Sequence, residues 1–326
     1  MTTPDNRAFW VTGPGRCEIK PAVLAPDIDT EGPMVTVRSL YSGISRGTES
    51  LVFNNRVPPG EYHRMRAPWQ EGSFPFPVKY GYANVGVVLE GPAELKGRQV
   101  FCLYPHQQHY RVPAGAVTVL PEQVPPSRAV LAANMETAIN GLWDAQPAVG
   151  DRVAVVGLGV VGLLVAWLVR QIPGVELLAI DTNSTRQAVA EALGLPFSTQ
   201  ASAEGCDLVV HASGHSAGLE SALAMAGQEA RIVELSWYGD AAVSVPLGHA
   251  FHPNRLELKS SQVGQIPPAR QPRWSYQRRL ALALSLLRAP ELDVLISGES
   301  RFDELPEIAN RLFSPEANAL CHRIIY

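Results

Sequence analysis

Residues 152–169 read RVAVVGLGVVGLLVAWLV, and this run decides the fold. A β-branched stretch, Arg152–Val156, meets Gly157-Leu158-Gly159-Val160-Val161-Gly162 and then a helix-forming stretch from Val160 to Gln171. Strand, glycine turn and helix in that order make a buried βα unit. The first glycine permits the tight turn, the second lets the backbone approach a pyrophosphate, and the third lets helix and strand pack closely. Val153–Val169 approaches the ~18 apolar residues of a membrane helix, but its three glycines divide it, and the βα reading is the one adopted.

Outward from this run, strands and helices alternate: strand Glu176–Ile180, helix Ser184–Leu193, strand Asp207–His211, helix Ser216–Ala226 and strand Arg231–Leu235. Such alternation implies right-handed crossovers and a parallel sheet. Asp181 ends the second strand, 19 residues beyond Gly162, where a carboxylate accepts hydrogen bonds from both adenosine ribose hydroxyls and repels a 2′-phosphate. NAD is therefore expected over NADP, with Asn183 nearby and Arg186 as the residue that leaves room for NADP. Asp181 as a helix cap is the alternative, although Asn183 or Ser184 is the better cap. A methyltransferase is disfavoured, because four apolar residues rather than an acidic one precede the glycine turn.

Upstream, Ala8 to about Val124 reads as short strands between turn residues, among them Val35–Leu40, Asn84–Glu90, Gln99–Leu103 and Val117–Leu120. Glycine and proline bound each of them, the pattern of an irregular β domain. Asn54–Pro77 is a long aromatic and proline-rich excursion of the kind that is often functional. Pro125–Asp144 is predicted as one linking helix. Downstream come an amphipathic helix at Tyr276–Leu287, a strand at Asp293–Ser297, a helix at Asp303–Leu312 and a last strand, Cys321–Tyr326, that rejoins the N-terminal β domain.

The chain has 326 residues, 46% hydrophobic and 18% charged, which favours two ordered domains over one small core or a disordered chain. Its 27 basic and 31 acidic residues give a net charge of -4. They read as spread along the sequence, with no dense basic patch, so nucleic acid is not an expected partner. Cys17, Cys102, Cys206 and Cys321 lie far apart, which suits a reduced, cytoplasmic protein and gives neither a disulfide framework nor a metal knuckle. Met1–Val11 lacks the basic start and apolar run of a signal peptide, and no membrane association is expected. Cys102, His106 and His109 are spaced so that they can converge on a metal, but a part-buried cysteine with two separate histidines is the simpler account.

The order of these parts resembles the medium-chain dehydrogenase/reductase superfamily over nearly the whole chain. Its landmarks are Ser42-Gly43-Ile44-Ser45 for the family's SGIC, Lys79-Tyr80-Gly81-Tyr82-Ala83 for its GHE region, Met135-Glu136-Thr137-Ala138, and Gly157 to Gly162. Within the superfamily, Ser42-Gly43-Ile44-Ser45-Arg46-Gly47-Thr48-Glu49 is similar to the SGIS-x-GTE of bacteriochlorophyllide 3-hydroxyethyl dehydrogenases, which keep Gly-Tyr-Glu where this chain has Gly81-Tyr82-Ala83. The resemblance implies an α/β protein with a GroES-like β-rich catalytic domain (1–127 and 288–326) and a Rossmann doubly wound coenzyme domain (128–287). It also implies an oxidoreductase that transfers a hydride between NAD(H) and the alcohol, carbonyl or activated double bond of a small molecule, and a homodimer joined through edge strands of the Rossmann sheets. Arg46, Thr137, Ala212-Ser213 and Leu235-Ser236-Trp237 join Gly157 to Gly162, Asp181, Asn183 and Arg186 as its cofactor residues.

Zinc members place a cysteine, a His-Glu pair and a further cysteine or acid where this chain has Ser45, Tyr82-Ala83 and about Ala133. No zinc of the usual kind is expected. An alkoxide that forms during hydride transfer must then be stabilised by hydrogen-bond donors. Tyr82 and Ser45 are predicted to bond the substrate oxygen, with Glu49 orienting or charging them. The competing reading makes Tyr82 a space filler, Ser45 a partner of local backbone groups and Glu49 an ion-pair partner of Arg46 or Lys79. Trp69, Phe74, Phe76 and Tyr62 are expected to wall in a bulky or planar substrate opposite Trp237 and Tyr238, or else to pack as a surface loop or dimer contact. A non-catalytic NAD(H)-binding sensor or scaffold is the alternative function.

Overall fold

The computed structural model describes residues 6–25 and 32–326. The first five residues of the segment read against a signal peptide lie outside that range. The chain divides into two compact units, residues 1–133 with 280–326 and residues 134–279.

The smaller unit holds six parallel strands in the order Phe197–Ser198, Glu176–Ile180, Arg152–Val156, Cys206–His211, Ala226–Glu234, Glu257–Ser260. Numbered along the chain this is 3-2-1-4-5-6, the doubly wound order, whose direction reverses at Arg152–Val156. Register follows the apolar runs: Val153 lies opposite Leu177 on one side and Leu208 on the other. Because the centre of a parallel sheet is covered on both faces, its inner strands are largely apolar. Val153, Ala154, Val155 and Val209 are all essentially without exposure, and Leu219, Ala222 and Leu223 of helix Ser216–Met225 close one face.

The larger unit is β-rich, with a four-stranded and a seven-stranded sheet. Strand Met34–Ile44 organises the second. It pairs antiparallel with Asn84–Glu90, with His109–Pro113 and with the returning strand Cys321–Ile325, which brings His322 opposite Ile44. Val35, Val37, Val100 and Val112 pack under the stacked rings of Tyr104 and Tyr110, 3.9 Å apart.

Several elements differ from the sequence reading, among them helix Arg46–Phe53 inside the stretch read as strands and strand Ala226–Glu234, which begins five residues before the expected Arg231. The linking helix is broken into Pro126–Ala129 and Ala132–Ala145. Near the break, Arg128 makes a bidentate bond to Asp293 (2.7 and 2.6 Å) and donates to the Leu287 carbonyl. The strand expected at Asp293–Ser297 lies at Ile296–Arg301, after a 3-10 segment opened by Pro290. The helix expected at Asp303–Leu312 begins at Leu305.

Candidate active site

In the parallel-sheet unit, the carboxyl edge of the sheet carries the glycine turn. A Cβ on Gly162 would run into the Gly157 carbonyl, and one on Gly157, whose φ is +95°, would meet the backbone of Ser213. A Cβ on Gly159 would meet nothing, so the middle glycine keeps open space at the amino end of helix Val160–Val169, where N–H groups and the helix dipole favour an anion. Leu158, Val160 and Val161 complete the turn. Asp181 is half-buried, and its two oxygens accept from the Leu158 amide (2.7 Å) and the Asn183 amide (2.8 Å). The carboxylate thus braces the turn rather than capping the next helix. Asn183 instead accepts from the Thr185 amide and hydroxyl. Arg186 is buried, so it does not present its charge at the surface. These residues fit a dinucleotide.

The same edge holds a polar cluster that the sequence did not disclose. His211, fully buried, contacts Glu234 Oε2 through Nδ1 (2.7 Å) and Ser213 Oγ through Nε2 (2.6 Å). Tyr238 donates to Glu234 (2.9 Å), and the Ser236 amide donates to its other oxygen (2.7 Å). Burial pushes the Glu234 carboxyl up, but hydrogen bonds from His211 and Ser236 outweigh it and hold the group below the ordinary range. Ser236 Oγ accepts from the Gly214 amide (3.0 Å). Ala212 donates its amide to Val156, Leu235 fills the space that Gly141 leaves, and Trp237 and Thr137 are half-buried.

In the β-rich unit, Ser45, Thr48, Glu49 and Tyr82 are brought together. The hydroxyls of Ser45 and Thr48 stand close enough to the Tyr82 phenol to act on it. Burial, reinforced by the nearby Glu49 charge, pushes its phenol up to about 12. Glu49 is buried and accepts from the Ser45 amide (2.7 Å). Its partner is neither Arg46 nor Lys79. His106 Nε2 stands 2.9 Å from Glu49 Oε2, and His106 Nδ1 lies 2.7 Å from Ser42 Oγ, which in turn is 3.0 Å from the Tyr326 hydroxyl. Lys79 instead bonds Glu71 and Gln107. Arg46, expected to touch cofactor, donates to the carbonyls of Ser314 and Pro315.

A row of rings leads to this cluster: Tyr62 to Phe74 (5.7 Å), Phe74 to Tyr80 (5.7 Å), Tyr80 to Tyr82 (6.0 Å). Of the four aromatics expected to wall a substrate, Tyr62 and Phe74 belong to the row, and Phe74 is buried in it. Trp69 is exposed outside it.

The donors do not fit a zinc ion of the family type. Ser45, Tyr82, Ala83 and Ala133 offer neither thiolate nor imidazole, and both nitrogens of His106 are already engaged. Cys102, His106 and His109 do not converge. Cys102 is fully buried in the core with Tyr110, where burial pushes its thiol up to about 12, and among the described residues no group of three or more His, Cys, Asp or Glu is placed to hold a metal.

No family model matches the chain. It is 30% identical to L-threonine 3-dehydrogenase of Bacillus subtilis over 142 residues, 40% of this chain and 41% of that protein. It is 26% identical to D-guloside 3-dehydrogenase of Escherichia coli over 193 residues, 55% and 53% of the two. The matches therefore span about half or less of these relatives' length. Among solved structures, a short-chain alcohol dehydrogenase of E. coli CFT073 complexed with NADH superposes with a TM-score of 0.77 at 16% identity, covering 99% of this chain and 100% of that one. A zinc-binding dehydrogenase of Sinorhizobium meliloti bound to NADP does so with 0.76 at 17%, covering 98% and 99%. Agreement of that extent, together with the glycine turn, the 3-2-1-4-5-6 sheet and the returning C-terminal strand, shows that the chain shares the fold of these dehydrogenases.

Proposed function

We propose that the chain is an NAD(H)-dependent, zinc-independent oxidoreductase acting on a secondary alcohol or its ketone. The observation that carries this reading is the meeting of Tyr82 with Ser45, Thr48 and Glu49, a group of hydroxyls and a carboxylate at the positions where zinc members of the resembled superfamily place metal ligands. The bound dinucleotide supplies or accepts the hydride. In reduction, the substrate carbonyl receives a hydride at carbon, its π pair moves to oxygen, and Tyr82 gives that oxygen a proton while Ser45 donates a second hydrogen bond. The hydroxyls of Ser45 and Thr48 are the route by which the phenol regains its proton. Glu49 is placed to balance the charge, and His106 with Ser42 and Tyr326 fixes the orientation of Glu49.

Asp181 supports NAD over NADP. The two curated relatives by name oxidise a 3-position in an amino acid and in a glycoside, which motivates a first panel of amino alcohols and sugar alcohols. Four free cysteines support a cytoplasmic setting, and no described helix is long and apolar enough to cross a membrane. The edge strand Glu257–Ser260 offers the backbone groups for a homodimer, which the mass in solution tests.

The experiment combines metal analysis of the purified protein, calorimetric titration with NADH and NADPH, and a turnover screen followed by Tyr82→Phe. NADH binding without stoichiometric zinc, and hydride transfer reduced about 100-fold by the substitution, are expected. Stoichiometric zinc or an unchanged rate sinks the catalytic assignment. NADH affinity without turnover on any substrate favours a non-catalytic sensor.

A further inference from the structure

Charge along the chain is not evenly spread after all. From Leu258 to Pro290 there are six basic residues and no acidic one. Lys259 is neutralised by Asp144 at 2.8 Å, and Arg279 by Glu136 at 3.1 Å. Arg270, Arg273 and Arg278 have no carboxylate partner among the described residues.

Two of these guanidinium groups rest on indoles. Arg278 lies 4.0 Å from the Trp274 ring and Arg270 5.6 Å from the Trp143 ring, while the two indoles are 4.7 Å apart. Stacking fixes a guanidinium plane and leaves its N–H edge free for an oxyanion. Backbone bonds hold Arg270 and Arg273 on one turn, and Arg278 reaches back to it from the helix that follows. The amides of Arg273 and Trp274 both return to the Arg270 carbonyl at 3.0 Å, and Arg278 also donates to the Arg273 carbonyl. Ser275 Oγ accepts from the Arg278 amide at 3.1 Å, which sets Arg278 on the first turn of helix Tyr276–Leu286, where the dipole adds positive charge.

This segment follows the carboxyl end of strand Glu257–Ser260, on the same sheet edge that carries Gly157, Asp181, Ser213 and Ser236. Asn140 secures its start through the Gln262 carbonyl at 3.3 Å.

We infer that the Arg270–Arg273–Arg278 row, backed by Trp143 and Trp274, binds the phosphate or diphosphate group of a small molecule. A single carboxylate neutralises one planar fork, whereas three uncompensated forks match an anion of higher charge with oxygens in several directions. The extra phosphate of NADP is not this anion, since Asp181 repels it at the ribose. The inference goes beyond the oxidoreductase reading and survives that reading's failure.

The test is isothermal titration of the full chain with inorganic pyrophosphate, alone and saturated with NADH. It is repeated with Arg273→Ala, Arg278→Ala and Arg278→Lys. Arg273 is exposed and its side chain makes no hydrogen bond or ion pair among the described residues, so its variant is expected to keep the wild-type melting temperature. Pyrophosphate binding that persists with NADH bound and weakens about tenfold for each arginine removed is expected, and lysine at 278 does not restore it. Absence of binding, affinity unchanged in the arginine variants, or displacement by NADH overturns the assignment. So does arginine-dependent co-sedimentation with phosphatidylcholine/phosphatidylglycerol vesicles without binding of free pyrophosphate, which would name a membrane headgroup instead.

Discussion

His106 Nε2 and Glu49 Oε2 lie 2.9 Å apart, and both side chains are almost without solvent. A buried polar pair of this kind is costly to break from one side, because the remaining member loses its partner without regaining water. Glu49→Ala is expected to destabilise the β-rich unit by about 3–5 kcal/mol. The double variant Glu49→Gln with His106→Gln is expected to recover part of that. Urea unfolding reads both, and a loss below about 1 kcal/mol for Glu49→Ala would show that the pair is dispensable.

The three glycines of the dinucleotide turn are predicted to fail differently. Gly162→Ala drives a methyl group into the Gly157 carbonyl, so helix and strand must separate, with a stability loss of about 1–3 kcal/mol and no NADH binding. Gly159→Ala meets no atom of the protein and sits at φ -69°. It is expected to leave the melting temperature unchanged while weakening NADH at least tenfold, because the added methyl occupies the space kept for the anion. Equal losses of stability in the two variants would refute this division of labour.

Asp181→Asn removes the charge that repels a 2′-phosphate but keeps one acceptor for the Leu158 or Asn183 amide. The ratio of NADPH to NADH affinity is expected to rise at least about tenfold, roughly the worth of one close charge pair in a partly wet site. Because Arg186 is buried, Arg186→Ala should not reverse that shift. Fluorescence titration with the two reduced nucleotides measures both ratios.

Burial beside Glu49 pushes Tyr82 up to about 12, so the phenol keeps its proton at every pH below that value. In the reducing direction the rate should show no alkaline tyrosine limb until pH approaches about 12, whereas an ordinary tyrosine would break the profile near ~10. A break near 10 that disappears in Tyr82→Phe would show that the phenol is not held as this geometry requires.

Legibility in the sequence followed the range of the interactions. The parallel-sheet unit was readable because its signals are local. Four apolar residues, a glycine turn at fixed spacing and a carboxylate at the next strand end are all set by neighbours in the chain. Strands Arg152–Val156 and Glu176–Ile180 have the expected bounds. Strand Glu257–Ser260 was missed because it is an edge, largely exposed and without an apolar run. Glu49 is singled out in the sequence, with Arg46 or Lys79 as its partner in the competing reading, but nothing there says that His106, 57 positions away, folds back onto it. His211 looked like the end of a buried strand, which it is. Its bonds to Glu234 and Ser213 depend on strand neighbours that only the sheet order defines. The arginine row escaped notice because whole-chain totals of 27 and 31 conceal a segment of one sign.

Gly81 has φ +121°, and a Cβ there would stand 2.9 Å from the His106 ring. His106 thus sits against the backbone just before Tyr82, the position from which zinc relatives offer an imidazole. Restoring a thiolate at Ser45 and an imidazole at Tyr82 would put new ligands beside a histidine whose two nitrogens are already committed to Glu49 and Ser42. Neither substitution alone supplies a metal site, while each one removes a member of the present network. The cluster is therefore closed by its own pairing: each exchange that adds one ligand leaves a buried partner unsatisfied before the next ligand is in place.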